Sequence, residues 1–279
     1  MVDVSEKRIN HPFSEFSVKL NSMTTTVEIV AGENKHLAQK GASYLLHLVD
    51  IYNRFDSNSE FFKLHQHKDK WTYVSDELFH LLAISQEMQV LTDNQFRIDF
   101  ESLQSGPYKA KGFELDFENK RVKLYPQTQL NAGGIAKGVI VDLTVQFLIK
   151  NGAENCMVNA GGDCRVSGNY LCKVGLFNPL DTKLAFGHVS IRNGAVVTSG
   201  SYARSIQKNS EKSTHFFDTD QNKYQEQSPF ASMTVVGTEA AKSEVFAKIL
   251  LMGKFCHIPK KHKAIGVTFP DYQVKSFTY

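Results

Sequence analysis

The chain has 279 residues, of which 42% are hydrophobic and 22% are charged. This is the composition of an ordinary globular protein, and it excludes a disordered or fibrous chain. The 32 Lys and Arg residues against 29 Asp and Glu leave a net charge of +3, which is too small to indicate nucleic-acid binding. At about 150 residues per domain, the length permits one large domain or two small ones.

The first half of the chain carries alternating strand and helix signals. A run rich in Val, Thr and Ile alternates with a period of two, and two later segments have apolar residues at helical spacing behind Asn34 and Ser75, which are good N-caps. The predicted elements are a strand or hairpin at 16–30, a helix at 34–53, a turn at 56–59, a helix at 75–91 and a β-hairpin at 112–126.

The second half mixes short strands with two further helices. The predicted elements are a glycine cluster at 133–138, a helix at 139–151, strands at 155–159, 170–177 and 188–198, a strand at 232–237, a helix at 239–252 and a closing strand at 264–269. Strands and helices follow no strict alternation, and the sequence shows no internal repeat or linker. We therefore predict one α+β unit with a smaller subdomain.

The location is predicted from the leading residues and the cysteines. The first 30 residues lack an apolar stretch of about 7–15 residues, which a secretory signal needs, and no segment of about 18 apolar residues predicts a membrane-spanning helix. The cysteines have the spacing of neither a metal clip nor a disulfide framework: Cys156, Cys164, Cys172 and Cys256. We expect a cytoplasmic protein, although a chain from which an export signal had been removed would look the same.

The first candidate site is the glycine-rich segment from Asn131 to Gly138. Gly133 and Gly134 allow backbone amides to approach a phosphate, the following helix start favours an anion, and Lys137 adds a positive charge. The segment matches no standard nucleotide-binding motif. A plain strand-to-helix turn with a surface lysine is an equally good interpretation.

Two further clusters follow strands. In the segment from Asn159 to Asp163, the pair Gly161-Gly162 permits either a ligand against bare backbone or a hairpin turn. The segment 195–204 predicts either the floor of a pocket for a planar ring or a plain strand exit, and it ends in Ser199, Gly200, Tyr202 and Arg204.

A fourth cluster, His215-Phe216-Phe217-Asp218, places an imidazole and a carboxylate around two aromatic rings in a polar stretch. A histidine in such a position can act as a general base. The alternative is a packed histidine held by Asp218.

Taken in order, these clusters resemble the motifs of the ApbE family, the FAD:protein FMN transferases. Family members carry D-x-G-G-I-A-K-G-x-x-x-D, then N-A-G-G-D, then A-V-x-T-S-G-x-Y-x-R, then H-I-x-D-P, then A-D-A-x-A-T. Further matches stand at 22–25, 56–60 and 92–96. The resemblance covers about 16–253, and we expect a single domain over 1–279.

The resemblance implies a T-fold-related α+β structure with a ligand cleft between its parts. It also implies an enzyme that uses Mg²⁺ and transfers FMN from FAD to a Ser or Thr hydroxyl of an acceptor protein. From the net charge and the lack of a long apolar segment, we expect neither nucleic-acid binding nor membrane insertion. The implied catalytic residues are His215, Lys137 and Asp218. The implied FAD-binding residues are Met23, Thr25, Gly133, Gly134, Lys137, Asn159, Gly161, Gly162, Asp163, Ser199, Gly200, Tyr202 and Arg204.

The departures from the family pattern fall on functional motifs. Thr24 and Asn94 replace glycines, Asn131 and Arg97 replace aspartates, and 219–221 replaces the P-x-T-G tail. Glu244 and Lys248 stand where the family has the metal-binding Asp and Thr, which predicts a weak or lost metal site at Glu244.

Lys248 is interpreted in two ways. In the first interpretation, it forms a surface ion pair with Glu244. In the second, its ammonium occupies the space of the lost cation, and FAD then binds without Mg²⁺. Three functions remain open: a working flavin transferase, a non-catalytic flavin-binding homologue, and an FAD pyrophosphatase that releases FMN and AMP.

Overall fold

The computed structural model describes residues 9–105, 112–200, 205–208, 211–214, 217–225, 227–254 and 256–278. These residues contain five α-helices: α1 Lys35–Tyr52, α2 Glu60–Leu64, α3 Asp76–Leu91, α4 Ala136–Lys150 and α5 Ala240–Leu251. Among them we find no helix that combines the length and apolar character needed to span a membrane.

Eighteen strands lie in the described residues. They are β1 Ile9–Asn10, β2 Val18–Ser22, β3 Thr25–Ala31, β4 Trp71–Tyr73, β5 Phe113–Asp116, β6 Arg121–Leu124, β7 Cys156–Ala160, β8 Asp163–Ser167, β9 Cys172–Asn178, β10 Asp181–Ile191, β11 Gly194–Gly200, β12 Ser205–Lys208, β13 Glu211–Thr214, β14 Phe217–Asp218, β15 Lys223–Tyr224, β16 Phe230–Gly237, β17 Lys263–Thr268 and β18 Val274–Thr278.

An antiparallel eight-stranded sheet forms the centre of the fold, in the order β18-β17-β16-β11-β8-β7-β3-β2. Helices α1, α4 and α5 pack on one face, and the small sheet β1-β9-β10 contributes to an apolar cluster on the other. Strand β7 is buried at all five positions because both of its faces are covered. The sheet β4-β6-β5, with α2 and α3, corresponds to the predicted subdomain, and it shares the main hydrophobic core.

Several predicted elements are confirmed. The segments 16–30 and 112–126 are hairpins, β2–β3 and β5–β6. The predicted caps are also present, because Asn34 accepts a hydrogen bond from the backbone N of Leu37 and Ser75 accepts one from that of Leu78. The extent of the domain over 1–279 stays a prediction.

Two strand predictions are wrong. The alternation at 188–198 belongs to two strands, because the chain leaves β10, turns at Asn193 with φ of 49°, and enters β11 in the other sheet. The strand near 264–269 is not the last one, since β18 pairs along it as the edge of the central sheet. The β7–β8 turn leads into a strand, β8, that was not predicted from the sequence.

The crossing of α4 and α5 brings two helix backbones into direct contact. A Cβ atom added to Gly138 of α4 would lie 2.6 Å from the backbone N and Cα of Ala241. Across the same contact, the Asp142 carboxylate accepts hydrogen bonds of 2.9 Å from the backbone N of Ala240 and of Ala241. Asp142 also pairs with Arg165 at 2.6 Å. A carboxylate from α4 therefore caps the start of α5.

We expect Gly138→Ala to lower the free energy of unfolding by about 1–3 kcal/mol, because the new methyl group would meet backbone that cannot rotate away. Gly187→Ala is the matched control, since an added Cβ there has no heavy atom within 4 Å, and we expect a change within about 0.5 kcal/mol. Urea unfolding monitored by circular dichroism measures both values. Equal stabilities of the two variants would contradict the proposed backbone contact.

Candidate active site

The glycine turn before α4 is held by Asn131. Its side-chain oxygen accepts a hydrogen bond of 2.9 Å from the backbone N of Gly133, and its amide NH₂ donates one of 2.7 Å to Glu101. Glu101 also receives two hydrogen bonds from Arg54. An aspartate at position 131 would place a second carboxylate against Glu101, so the amide suits this environment.

Lys137, in the first turn of α4, forms an ion pair with Asp163 at the start of β8. Its ammonium lies 2.9 Å from Asp163 Oδ2. Burial raises the pKa of the Asp163 carboxyl, the nearby Lys137 opposes this rise, and the negative charge of Glu244 adds to it. The lysine thus stabilises the ionised form of a buried acid while about a third of its own side chain stays exposed.

Glu244, on α5, is buried and engaged through both carboxylate oxygens. Oε2 accepts a hydrogen bond of 2.8 Å from the backbone N of Gly138, and Oε1 lies 2.5 Å from the ammonium of Lys248. That ammonium also donates to the carbonyl oxygens of Gly134 at 2.9 Å and Gly133 at 3.3 Å. Lys248 therefore joins α5 to the glycine turn.

This donor set does not fit magnesium. Mg²⁺ requires hard oxygen ligands at short, nearly octahedral positions, but here a protonated amine, which has no lone pair, lies between the carboxylate and the carbonyls. No group of three or more His, Cys, Asp or Glu side chains suited to a metal occurs in the described part of the chain.

An apolar pocket of about 230 Å³ opens beside this cluster. The rings of Phe96, Phe100 and Phe217 line it together with Gly133, Gly134 and Lys248. The Phe100 and Phe217 rings have centroids 5.0 Å apart, and the Phe96 ring lies 3.0 Å from the position of a Cβ on Gly134. A pocket with aromatic walls and an ammonium at its edge suits a planar ring that carries phosphate.

The segment from Asn159 to Asp163 is the two-residue turn of the β7–β8 hairpin. Gly161 and Gly162 have φ of 63° and 108°, which favour glycine. The side-chain oxygen of Asn159 accepts a hydrogen bond from the backbone N of Gly162, and Thr25 lies against Gly161. The structure thus shows the hairpin turn, and ligand contact with its backbone stays a prediction.

Met23 and Thr24 form the turn between β2 and β3, with φ of 51° and 62°. A β-branched residue such as Thr24 is strained in this left-handed region, whereas glycine is not. The left-handed backbone conformation therefore explains why the family motif has glycine at this position. Asn94, which also replaces a glycine, has φ of 65°, but asparagine tolerates that conformation much better.

We expect Thr24→Gly to raise the free energy of unfolding by about 1 kcal/mol, because it relieves the left-handed strain. Thr26→Gly, two residues along the same hairpin in a regular strand, should instead lower it by about 0.5–1 kcal/mol. Thermal and urea unfolding of both variants provide the measurement. Destabilisation of both to the same extent would show that Thr24 is not strained.

The remaining predicted residues lie in two groups. Ser199 is buried near the end of β11, and Gly200 pairs with Ser232 of β16. Tyr202, Arg204 and His215 lie outside the described residues.

Asp218 holds a turn and a neighbouring lysine. It accepts hydrogen bonds from the backbone N of Asp220 and of Gln221, and it pairs with Lys254 at 2.5 Å. These contacts lower the pKa of Asp218 although its burial acts in the opposite direction. A catalytic role for Asp218 stays a prediction.

The structure brings most predicted positions into one region. The β2–β3 and β7–β8 turns bring Thr25 against Gly161, the Lys137–Asp163 pair joins the second turn to α4, and Lys248 joins α4 to α5. Sequence reasoning did not predict the pocket side chains Phe100 and Met252, because nothing in their local pattern separates a pocket wall from a core position.

Comparison with known proteins identifies the family. The sequence profile of the ApbE family matches residues 23–260, so the chain belongs to the ApbE family. It is similar to the FAD:protein FMN transferase of Klebsiella pneumoniae (strain 342), with 29% identity over 148 residues, 52% of this chain and 46% of that protein. It is also similar to the FAD:protein FMN transferase of Rhodobacter capsulatus, with 33% identity over 97 residues, 33% of this chain and 18% of that protein. Each alignment spans less than half of the relative's length.

Solved structures confirm the predicted fold class. The ApbE protein of Thermotoga maritima superposes with a TM-score of 0.78 at 19% identity and covers 93% of this chain and 96% of its own. The apo form of the flavinyl transferase ApbE of Pseudomonas stutzeri gives a TM-score of 0.73 at 16% identity. It covers 94% of this chain and 93% of its own. At these identities the likeness establishes the fold alone.

Proposed function

We propose that this protein transfers FMN from FAD to a Ser or Thr hydroxyl of an acceptor protein and releases AMP. The observation that carries the proposal is the convergence of two lysines on the start of α4, beside a pocket with aromatic walls. Lys137 is paired with Asp163, and Lys248 is bonded to the carbonyls of Gly133 and Gly134. Membership of the ApbE family and similarity to two FAD:protein FMN transferases support the same function.

The charges suit a diphosphate ester. Two ammonium groups within one cluster can neutralise charge on non-bridging phosphate oxygens, which is the main requirement for phosphoryl transfer. The rings of Phe96, Phe100 and Phe217 offer flat apolar contact for one of the two ring systems of FAD. Both ring systems of FAD are planar, so either one suits this contact.

The proposed reaction breaks one bond and forms one. The acceptor hydroxyl oxygen attacks the FMN phosphorus, the P–O bond of the diphosphate breaks, and AMP leaves. The hydroxyl proton passes to a general base, for which His215 is our candidate on the strength of the family motif. The lysines hold the diphosphate while this exchange occurs.

Magnesium has no step in this proposal, because the residues around Glu244 do not fit it. A cytoplasmic location is likewise a proposal, and it rests on the cysteine spacing. The non-catalytic flavin-binding function is the second candidate, and the occupation of both Glu244 oxygens by protein donors favours it.

One assay separates these functions. The purified protein is incubated with FAD and a peptide bearing an acceptor Thr, and both AMP and covalent flavin fluorescence on the peptide are measured. Labelled peptide with equal AMP indicates transfer, AMP without label indicates hydrolysis, and FAD binding without AMP indicates the binding function. His215→Ala should bind FAD normally and form no labelled peptide if His215 is the base.

We expect Lys137→Gln to weaken FAD binding by about tenfold, because one charge-assisted contact to phosphate is lost. Lys150→Gln, at the exposed far end of the same helix, removes the same charge and should leave the affinity unchanged. Calorimetric titration with FAD measures both. Equal affinities for the two variants would remove Lys137 from the diphosphate site.

A further inference from the structure

The Lys248 ammonium has the surroundings of a bound cation. Its three oxygen neighbours are one carboxylate oxygen, from Glu244 at 2.5 Å, and two backbone carbonyl oxygens, from Gly134 at 2.9 Å and Gly133 at 3.3 Å. Carboxylates and carbonyls are the ligands that hard cations take in proteins. An ammonium group has three N–H donors, and here each donor has one of these three oxygens as its acceptor.

The contacts of Glu244 fix this arrangement. Its second oxygen is held by the backbone N of Gly138, and the residue is 3% exposed. A buried carboxylate without a positive partner is strongly unfavourable, so the pairing with Lys248 neutralises a charge that the fold itself places there. A divalent ion could reach these oxygens only by displacing the ammonium.

The balance of charge around the site also opposes a second cation. The two buried carboxylates, Asp163 and Glu244, are each paired with one lysine, Lys137 and Lys248. The four groups sum to zero net charge. Removal of the Lys248 ammonium would leave one buried negative charge and two carbonyl oxygens directed at the same space.

The ammonium lies where a ligand can reach it. Lys248, Gly133 and Gly134 all line the apolar pocket, and the Lys248 side chain is 19% exposed. A phosphate at the mouth of this pocket would meet a positive charge that is already oriented and requires no ion from solution.

We propose that the Lys248 ammonium is the resident cation of the site: it replaces a divalent ion on Glu244 and the two glycine carbonyls, and it makes diphosphate binding independent of divalent metal. The identity of the diphosphate as FAD rests on the function proposed above. The latent metal site beneath Lys248 does not depend on that function, because the protein alone forms it.

Direct metal binding is the first test, and it needs no flavin. The native protein is titrated with Mn²⁺ and the free ion is followed by electron paramagnetic resonance. We expect no stoichiometric binding to the native protein and one bound ion for Lys248→Thr. Lys242→Thr is the matched control, since Lys242 lies on the same helix and pairs with Glu87 and Glu239, and it should bind no ion. Lys248→Thr combined with Glu244→Gln should lose the ion.

The second test measures FAD affinity with Mg²⁺ and with EDTA. We expect the native protein and Lys242→Thr to bind FAD equally in both conditions. Lys248→Thr should bind FAD about tenfold more weakly in EDTA and recover with Mg²⁺, because the lost ammonium is replaced by an ion.

The proposal is overturned if the native protein binds Mn²⁺ stoichiometrically, or if EDTA abolishes FAD binding by the native protein. Neither measurement depends on the folding of a variant. The proposal is also overturned if Lys248→Thr folds and has the same affinities for Mn²⁺ and for FAD as Lys242→Thr. If FAD does not bind at all while Lys248→Thr gains a Mn²⁺ ion, the flavin function fails and the latent cation site stands.

Discussion

The backbone contact between α4 and α5 at Gly138 is the constraint on which the site depends. With no side chain at Gly138, the two helices approach until the Gly138 N–H reaches the carboxylate of Glu244. One turn further along α5, Lys248 then reaches back to the carbonyls of the glycine turn. Asp142 fixes the same crossing by capping α5. The geometry of the charged cluster therefore follows from helix packing, and a change that separates the helices would disperse all of its members together.

The substitutions relative to the family pattern have local partners in this structure. The amide of Asn131 donates to Glu101, where an aspartate would repel it. Arg97 makes two hydrogen bonds with the buried Asp99, and Lys248 neutralises Glu244. Burial of an unpaired charge costs several kcal/mol, so the buried carboxylates of Asp99 and Glu244 need Arg97 and Lys248 as partners. Thr24 differs in kind, because its hydroxyl donates to the carbonyl oxygen of Met23 while its backbone keeps the left-handed φ of 62°.

Local chemistry explains which features could be predicted from the sequence. Asn34 and Ser75 each accept a hydrogen bond from a backbone N only three residues further along the chain, so the sequence around each cap is enough to predict it. The switch of sheets at Asn193 could not be predicted, because alternation continues on both sides of it and the partners of β11, which are β8 and β16, are distant in sequence. Family motifs indicated Lys137 and Asp163 separately, but their pairing across 26 positions depends on how α4 packs on β8.

The position of Lys248 links these points to the chemistry of the site. A carboxylate buried at a helix crossing needs a positive charge, and either a metal ion or an ammonium can provide it. The ammonium is covalently attached, so its local concentration does not depend on the metal content of the surroundings, but it carries one positive charge where Mg²⁺ carries two. With Glu244 neutralised, less positive charge remains for a diphosphate. Lys137 has the same limitation because it neutralises Asp163. The three donors of Lys248 are directed at protein oxygens, so each lysine offers a phosphate a local positive charge that a neighbouring carboxylate partly offsets. Such a site binds a diphosphate more readily than it stabilises the charge that builds up on AMP as the bond breaks.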